Sequence, residues 1–270
     1  MARFLALSSQ VAHGHVGLSA IVPALNMLGH EVIALPTVLL SSHPGHAQVA
    51  GERVDPDVLG RMLEALAAGG RLATIDGVLT GYLPTPEHVR VAAAAVTLVR
   101  GRGPSTIYLC DPVLGDDPKG LYIDVDAAEA IKTVLVPLAD WCSPNRFELA
   151  WLTGRTVASA ADAIVAGRSL DRHRVFATSI PLGGDKLLTM QIEPANAFGC
   201  QVTRQEHVPH GTGDLLSALL LAGQALGQAV ASVDAAIDQS RGYDELQLIA
   251  AQKTWLSAPA FPEQPIGDVT

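Results

Sequence analysis

The residues with the clearest capacity for chemistry stand together at His210-Gly211-Thr212-Gly213-Asp214, directly before the apolar run 215–222. The spacing reads as a loop that turns into a helix at Asp214. Glycines let a backbone approach a ligand closely with its N–H groups turned inward. A helix start adds unpaired donors and partial positive charge. Gly211, Thr212 and Gly213 thus form a candidate anion hole. Asp214 sits at its rim, where a base takes a proton from a hydroxyl attacking a phosphate. The same residues also fit a tight turn with Asp214 as N-cap, and the stretch alone leaves both readings open.

Other candidates follow apolar runs that read as strands. Asp111 comes straight after residues 106–110, and a carboxylate at a strand end is well placed to organise Mg²⁺ through water. Asn145 and Glu148 are three apart and would share one side of a first helical turn, a spacing that also fits a capping box. Thr178 and Ser179 close another short run, with hydroxyls suited to phosphate. Lys119 lies in a polar turn and is either a phosphate partner or simply solvated. His13 and His15 follow the first run; loop histidines more often hydrogen-bond than bind metal. Residues 37–46 mix apolar side chains with Ser, His, Pro and Gly, which suits either a wall around a small ring or a packed loop. Tyr82 either stacks on a planar substrate or packs on the domain.

The elements that must position these groups alternate. Strands are expected at residues 4–7, 31–36, 74–79, 106–110, 140–142 and 174–177, and helices at 18–28, 55–68, 86–100, 126–136, 162–170 and 233–256. Residues 186–208 read instead as antiparallel β. The rhythm predicts an α/β fold, a mostly parallel sheet with helices on both faces, as one domain over residues 1–270. Ligands bind beyond the C-terminal ends of such strands. Neither a dinucleotide Gly-x-Gly-x-x-Gly nor a Walker sequence is present.

Composition narrows the function class. With 49% hydrophobic and 17% charged residues, the 270-residue chain can bury a sizeable core. A net charge of −9 without a basic run argues against nucleic acid and anionic membranes. Any phosphate site must then be built from backbone amides and a metal. Cys110, Cys142 and Cys200 are far apart and lack Cys-x-x-Cys spacing, so they read as buried thiols in a reducing compartment. No signal-peptide pattern and no apolar stretch of ~20 residues stands out. A cytoplasmic, soluble protein is expected.

In this order the motifs resemble the pyridoxal kinases of the ribokinase-like superfamily. The covering segments are residues 9–17, 37–43 and 80–83, Asp111-Pro112-Val113-Leu114-Gly115, residues 144–149, Gly211-Thr212-Gly213-Asp214 and the tail 243–252. The resemblance implies a ribokinase-like fold and ATP-dependent phosphorylation of the 5′-hydroxymethyl group of pyridoxal, with pyridoxine and pyridoxamine as further substrates. It implies Asp214 as base, Asp111 and Glu148 as organisers of Mg²⁺–ATP, and Ser143, Thr178 and Ser179 at the nucleotide. Ser9, His43 and Tyr82 would line the vitamin site, with Asp214 at its inner end. K⁺ as a further ion and a homodimer are part of the same implication. Pro44 departs from the family's usual Thr and withholds a hydroxyl and a backbone donor. The segment between Gly115 and Leu121 is short for a lid. A kinase of another hydroxymethyl heterocycle, such as hydroxymethylpyrimidine, and a non-catalytic binder on the same fold remain the alternatives.

Overall fold

The protein was described from a computed structural model, which defines residues 1–267. In chain order the elements are β1 (Arg3–Val11), α1 (Leu18–Met27), β2 (Glu31–Leu40), β3 (Gly51–Arg53), α2 (Pro56–Ala68), β4 (Gly77–Thr80), α3 (Pro86–Arg100) and β5 (Ile107–Cys110). A small hairpin, β6 (Gly115–Asp116) and β7 (Gly120–Leu121), comes next. Then follow α4 (Val125–Ala130), a wider π-turn over Ile131–Leu135, α5 (Val136–Leu138), β8 (Trp141–Cys142), α6 (Arg146–Thr153) and α7 (Ala160–Ser169). The chain closes with β9 (Arg174–Gly183), β10 (Lys186–Ile192), β11 (Ala197–Thr203), α8 (Thr212–Leu221), α9 (Leu226–Gln239), α10 (Gln252–Leu256) and β12 (Gln264–Pro265).

Ten strands form one sheet in the order β12-β11-β10-β9-β8-β5-β4-β1-β2-β3. From β9 to β2 the neighbours are parallel, and both margins are antiparallel. The sheet is therefore mostly parallel, as the alternation predicts. Side chains alternate between its faces. On β1, Leu5 and Leu7 join the core under α2, α3 and α4, whereas Phe4 and Ala6 join the core under α1, α8, α9 and α10. On β5, Tyr108 and Cys110 lie in the first core and Leu109 in the second. Asp111, next in the alternation, thus belongs on the α8 side. A third cluster packs α6 and α7 on β9 and β10. The three cysteines are buried and unpaired. Among the described residues, no helix is long and apolar enough to cross a membrane.

Several boundaries differ from expectation for a shared reason. Backbone pairing is indifferent to side-chain polarity. β1 runs on through Ser8, Ser9 and Gln10 because Ser8 and Gln10 still pair with β2 on either side of a register shift at Ser9, and β2 itself continues to Leu40. Only residues 41–46 remain of the expected 37–46 loop. β4 begins at Gly77 rather than residue 74. β9 continues past Ala177 to Gly183, so Thr178 and Ser179 lie within a strand. The expected helix 233–256 is two helices: α9 starts earlier, at Leu226, and the chain breaks at Ser240, with Gly242 in the left-handed region at φ 83°. Helix caps match the sequence more closely. Asp55 accepts from Asp57 N–H ahead of α2, and Asn145 and Glu148 form a capping box on α6.

Candidate active site

The helix that carries the lead motif starts at Thr212, two residues earlier than the sequence suggested, with Gly211 as N-cap. Asp214 is therefore the third helical residue, and its role as N-cap is excluded. An N-cap must lie outside the helix to reach back to the next amides. The amides of Thr212, Gly213 and Asp214 fall in the first turn, where no preceding turn supplies carbonyl acceptors. The two glycines do different things. Gly211 has φ 97°, and a Cβ there would lie 1.8 Å from the His15 carbonyl oxygen. The fold itself demands glycine at that point. Gly213 has no atom within 4 Å of where a Cβ would sit and is exposed. Its missing side chain leaves open space in front of the amides.

Asp214 meets the strand ends across this space. A Cβ on Gly81, just past β4, would sit 3.9 Å from Asp214 Oδ1 and 2.5 Å from Ser8 Oγ. Ser8 is fully buried and its Oγ accepts from Tyr82 N–H at 3.1 Å. Burial raises Asp214 from the usual carboxylate range to about 6, and the Gly17 backbone amide opposes that rise. On the α8 side of β5, Asp111 is 8% exposed. Burial first, then the neighbouring Asp214 charge, push it up to about 7, against a hydrogen bond from Ser217. Two carboxylates held together without a basic partner are hard oxygen donors with excess negative charge. That donor set fits a Mg²⁺ ion retaining most of its waters. No three His, Cys, Asp or Glu side chains converge to hold an ion unaided among the described residues.

Glu148 is 4% exposed and fully engaged. Oε1 accepts from Leu114 N–H at 3.0 Å and from Gly115 N–H at 3.5 Å, and Oε2 accepts from Asn145 N–H at 2.8 Å. Burial and then Asp111 hold it well above the usual carboxylate range, against those three amides. Glu148 thereby clamps the segment after Asp111 to the start of α6. Ser143 is also buried, and its hydroxyl lies 2.9 Å from Ser217 Oγ. Thr178 and Ser179 face one residue, Thr189, because the β9–β10 register slips between Leu188 and Met190. Such a bulge re-aims side chains locally. Ser179 takes φ 61° there and is exposed.

These residues line two adjoining recesses. One of about 160 Å³ contains Asp111, Ser143, Glu148, Asp214 and Ser217. The second, of about 320 Å³, combines the Thr178, Ser179 and Thr212 hydroxyls with an apolar lining of Val202, Val208, Leu216, Val230, Val233 and Ile237. Asp116, Asn145, Thr178, Gly213 and Leu216 border both. The pair forms a slot with an apolar far end and a polar end at the α8 amides. A further recess of about 560 Å³, between β11 and α9, shares Val202, Thr203, Gln205 and Asp234 with it but holds none of the candidate catalytic groups.

The remaining substrate-wall candidates, Ser9, Tyr82 and His43, lie outside these two recesses. Ser9 is half-buried with its Oγ against Gly17, inside β1 rather than at its end. Tyr82 is half-buried, its carbonyl accepts from Thr37 Oγ1 at 2.7 Å, and burial raises its hydroxyl pKa. His43 is in the loop 41–46, its ring stacked on His210 with centroids 3.6 Å apart. The sequence reading assigned no separate role to Ser8, to Ser217 or to His210, which stands in the lead motif. Ser217 was findable, since it lies three residues after Asp214 and so on the same side of α8.

A family model described as phosphomethylpyrimidine kinase matches residues 14–252. The chain is 34% identical to a pyridoxal kinase of Deinococcus radiodurans, over 92% of this chain and 91% of that protein. It is 37% identical to a pyridoxine/pyridoxal/pyridoxamine kinase of Bordetella avium, over 84% of this chain and 80% of that one. Among solved structures, it resembles the Leishmania donovani pyridoxal kinase in complex with ADP and pyridoxine, with a TM-score of 0.91, 26% identity and coverage of 98% and 99% of the two chains.

Proposed function

Because the chain belongs to the pyridoxal kinase family, we infer that it transfers the γ-phosphoryl group of ATP to the 5′-hydroxymethyl group of pyridoxal and related vitamers. The observation that carries this reading is Asp214. It is a base held near 6, in the first turn of an amide-lined helix start, between the slot and Gly81 at the end of β4.

In the proposed arrangement, adenosine occupies the apolar end of the slot by Val202, Val230 and Val233. The phosphates run past Thr178 and Ser179 toward the amides of Gly211, Thr212 and Gly213. Phosphoryl transfer needs position and charge stabilisation more than covalent help from the protein. The amides and the helix dipole supply fixed donors for the equatorial oxygens. Asp214 accepts the proton of the attacking hydroxyl, with a pKa near enough to neutrality to be ionised before transfer and protonated after it. Asp111 and Glu148 would hold Mg²⁺ through water, Glu148 also fixing the segment after Asp111 through its backbone contacts. The ion would neutralise charge on the β- and γ-phosphates. Ser143 and Ser217 keep Asp111 in place. Ser9, His43 and Tyr82 form the vitamin wall.

The reading extends to a cytoplasmic homodimer. Unpaired buried thiols favour a reducing compartment, and Val58 and Met62 of α2 are large apolar side chains left exposed. A single monomer-sized species in light scattering at micromolar concentration would count against the dimer. The kinase reading itself is tested by measuring ATP turnover against pyridoxal, pyridoxine, pyridoxamine, hydroxymethylpyrimidine and ribose, with Mg²⁺ and with or without K⁺. Preference for a B6 vitamer supports it. Preference for the pyrimidine would assign the alternative heterocycle, and no turnover with any would leave a binding protein.

A further inference from the structure

Outside the transfer centre, a pair of stacked titratable rings joins two loops that the sequence keeps far apart. His43 stands in loop 41–46 and His210 directly precedes the anion-hole glycine. Their imidazoles stack at 3.6 Å between centroids with an interplanar angle of 21°. The loop is arranged around this contact. Gly45 N–H donates to His43 Nδ1 at 3.0 Å, and His46 N–H donates to the His43 carbonyl at 3.0 Å. A Cβ on Gly45 would lie 3.0 Å from His43 Nδ1 and 3.3 Å from His210 Nε2. The Gly45 backbone therefore seats against both rings.

Neighbouring groups hold the loop at its other end. His46 Nε2 lies 3.3 Å from Glu245 Oε1, and Glu245 itself fills the space in front of Gly14. Accepting a hydrogen bond at Nδ1 requires an unprotonated nitrogen there. Burial, with His210, His46 and Lys119 nearby, keeps the His43 ring neutral down to about pH 4. His210 is likewise lowered, by burial and then Lys119, while Glu245 and Asp116 pull the other way. Two neutral flat rings can stack without charge repulsion.

We propose that His210 is a positioning residue: by stacking on His43 it holds loop 41–46 closed against the segment that begins the anion hole, and so sets the grip on the vitamin. The proposal rests on the kinase reading for the identity of the ligand but not for the loop contact itself. His210 acts through His43 and needs no contact with either substrate. The stack also ties closure of the vitamin side to the same backbone that receives the phosphoryl group.

The test uses three variants of the full chain: His210→Ala, His210→Asn and His210→Phe. Phe keeps a flat ring without a titratable nitrogen, while Asn keeps a polar edge without the ring. Hydrogen exchange of the peptide spanning residues 41–50 reads loop closure without any substrate. Exchange about 2- to 12-fold faster in Ala and Asn, with Phe near wild type, is the expected result. With activity, Ala and Asn should raise KM for pyridoxal by a similar factor, leave KM for ATP within about twofold, and be rescued by Phe. Unchanged exchange in Ala and Asn overturns the proposal, as does a Phe variant that fails like Ala. A fall in kcat alone, with exchange unchanged, also overturns it. If wild type turns over no vitamer, the kinase reading fails, and the exchange result still decides the loop contact.

Discussion

Ser217 Oγ donates to Asp111 Oδ2 at 2.8 Å, across 106 residues of sequence. The pair links the helix that carries Asp214 to the residue that follows β5. Ser143 Oγ lies 2.9 Å from the same Ser217 hydroxyl, so three polar side chains form a buried chain beneath the transfer centre. A hydrogen bond to the ionised form of a carboxylate favours that form. Ser217 is thus what opposes the rise that burial and Asp214 impose on Asp111.

Ser217→Ala should therefore move the acidic limb of the kcat profile upward by about one to two pH units, since hydrogen bonds to charged groups contribute about 1.5–3 kcal/mol. Activity at pH 7 should fall several-fold while recovering at higher pH. The pH profile of the purified variant checks this. A uniform loss at every pH would mean that Ser217 matters only for packing.

Asp214→Asn should leave ATP binding nearly intact and lower kcat by about 10²- to 10⁴-fold, the usual contribution of a general base. Nucleotide titration and steady-state kinetics on one preparation separate the two effects. Turnover at the wild-type rate would remove Asp214 from the mechanism.

Stability and activity should respond oppositely to pH at Asp214. Its folded pKa of about 6 lies above the 3.8 of an unperturbed Asp, so the folded state binds the extra proton. The penalty for carrying the charge is complete above pH 6 and is relieved as pH falls toward 4. Asp214→Asn should thus raise Tm more at pH 8 than at pH 5. His43 works in the other sense, because its lowered pKa costs folded stability as pH drops from about 6.5 toward 4. Both proteins share that term, so the difference in Tm isolates Asp214. A gain that is equal at the two pH values would contradict a desolvated charge at Asp214.

Gly213→Ala and Gly211→Ala should part company. At Gly213 nothing meets the added methyl, so Tm should move by no more than about 0.5 kcal/mol equivalent. The methyl enters the space before the amides, so kcat/KM for ATP should fall at least tenfold, or about 1.4 kcal/mol of transition-state stabilisation. At Gly211 the positive φ and the His15 carbonyl oppose any side chain, and Tm should drop as well. Thermal melts and kinetics on both variants measure the contrast. Normal ATP kinetics in Gly213→Ala would move the phosphates away from this helix start.

Much of the fold was open to a reading of the chain alone, because it depends on local chemistry. Alternating apolar runs and helical periods report which face of an element is buried, and burial dominates folding energetics. Asp55 and the Asn145–Glu148 pair announce their helices for the same reason: caps act within four residues. Asp111, Glu148 and the Gly211 to Asp214 stretch were recognisable by residue type and order, and all three fall around one recess. Tertiary structure decided what depends on distant partners. β1 and β2 run long because strand ends are set by the neighbour they pair with, whatever their side chains. Thr178 and Ser179 turn on a bulge that exists only against β10. Ser217 meets Asp111, and His210 meets His43, because the order of strands in the sheet brings α8 over β5 and its leading loop against residues 41–46. No spacing along the chain encodes those distances. They follow from the topology, which also withdraws the carboxylates from water and gives Asp111 and Asp214 their raised pKa values.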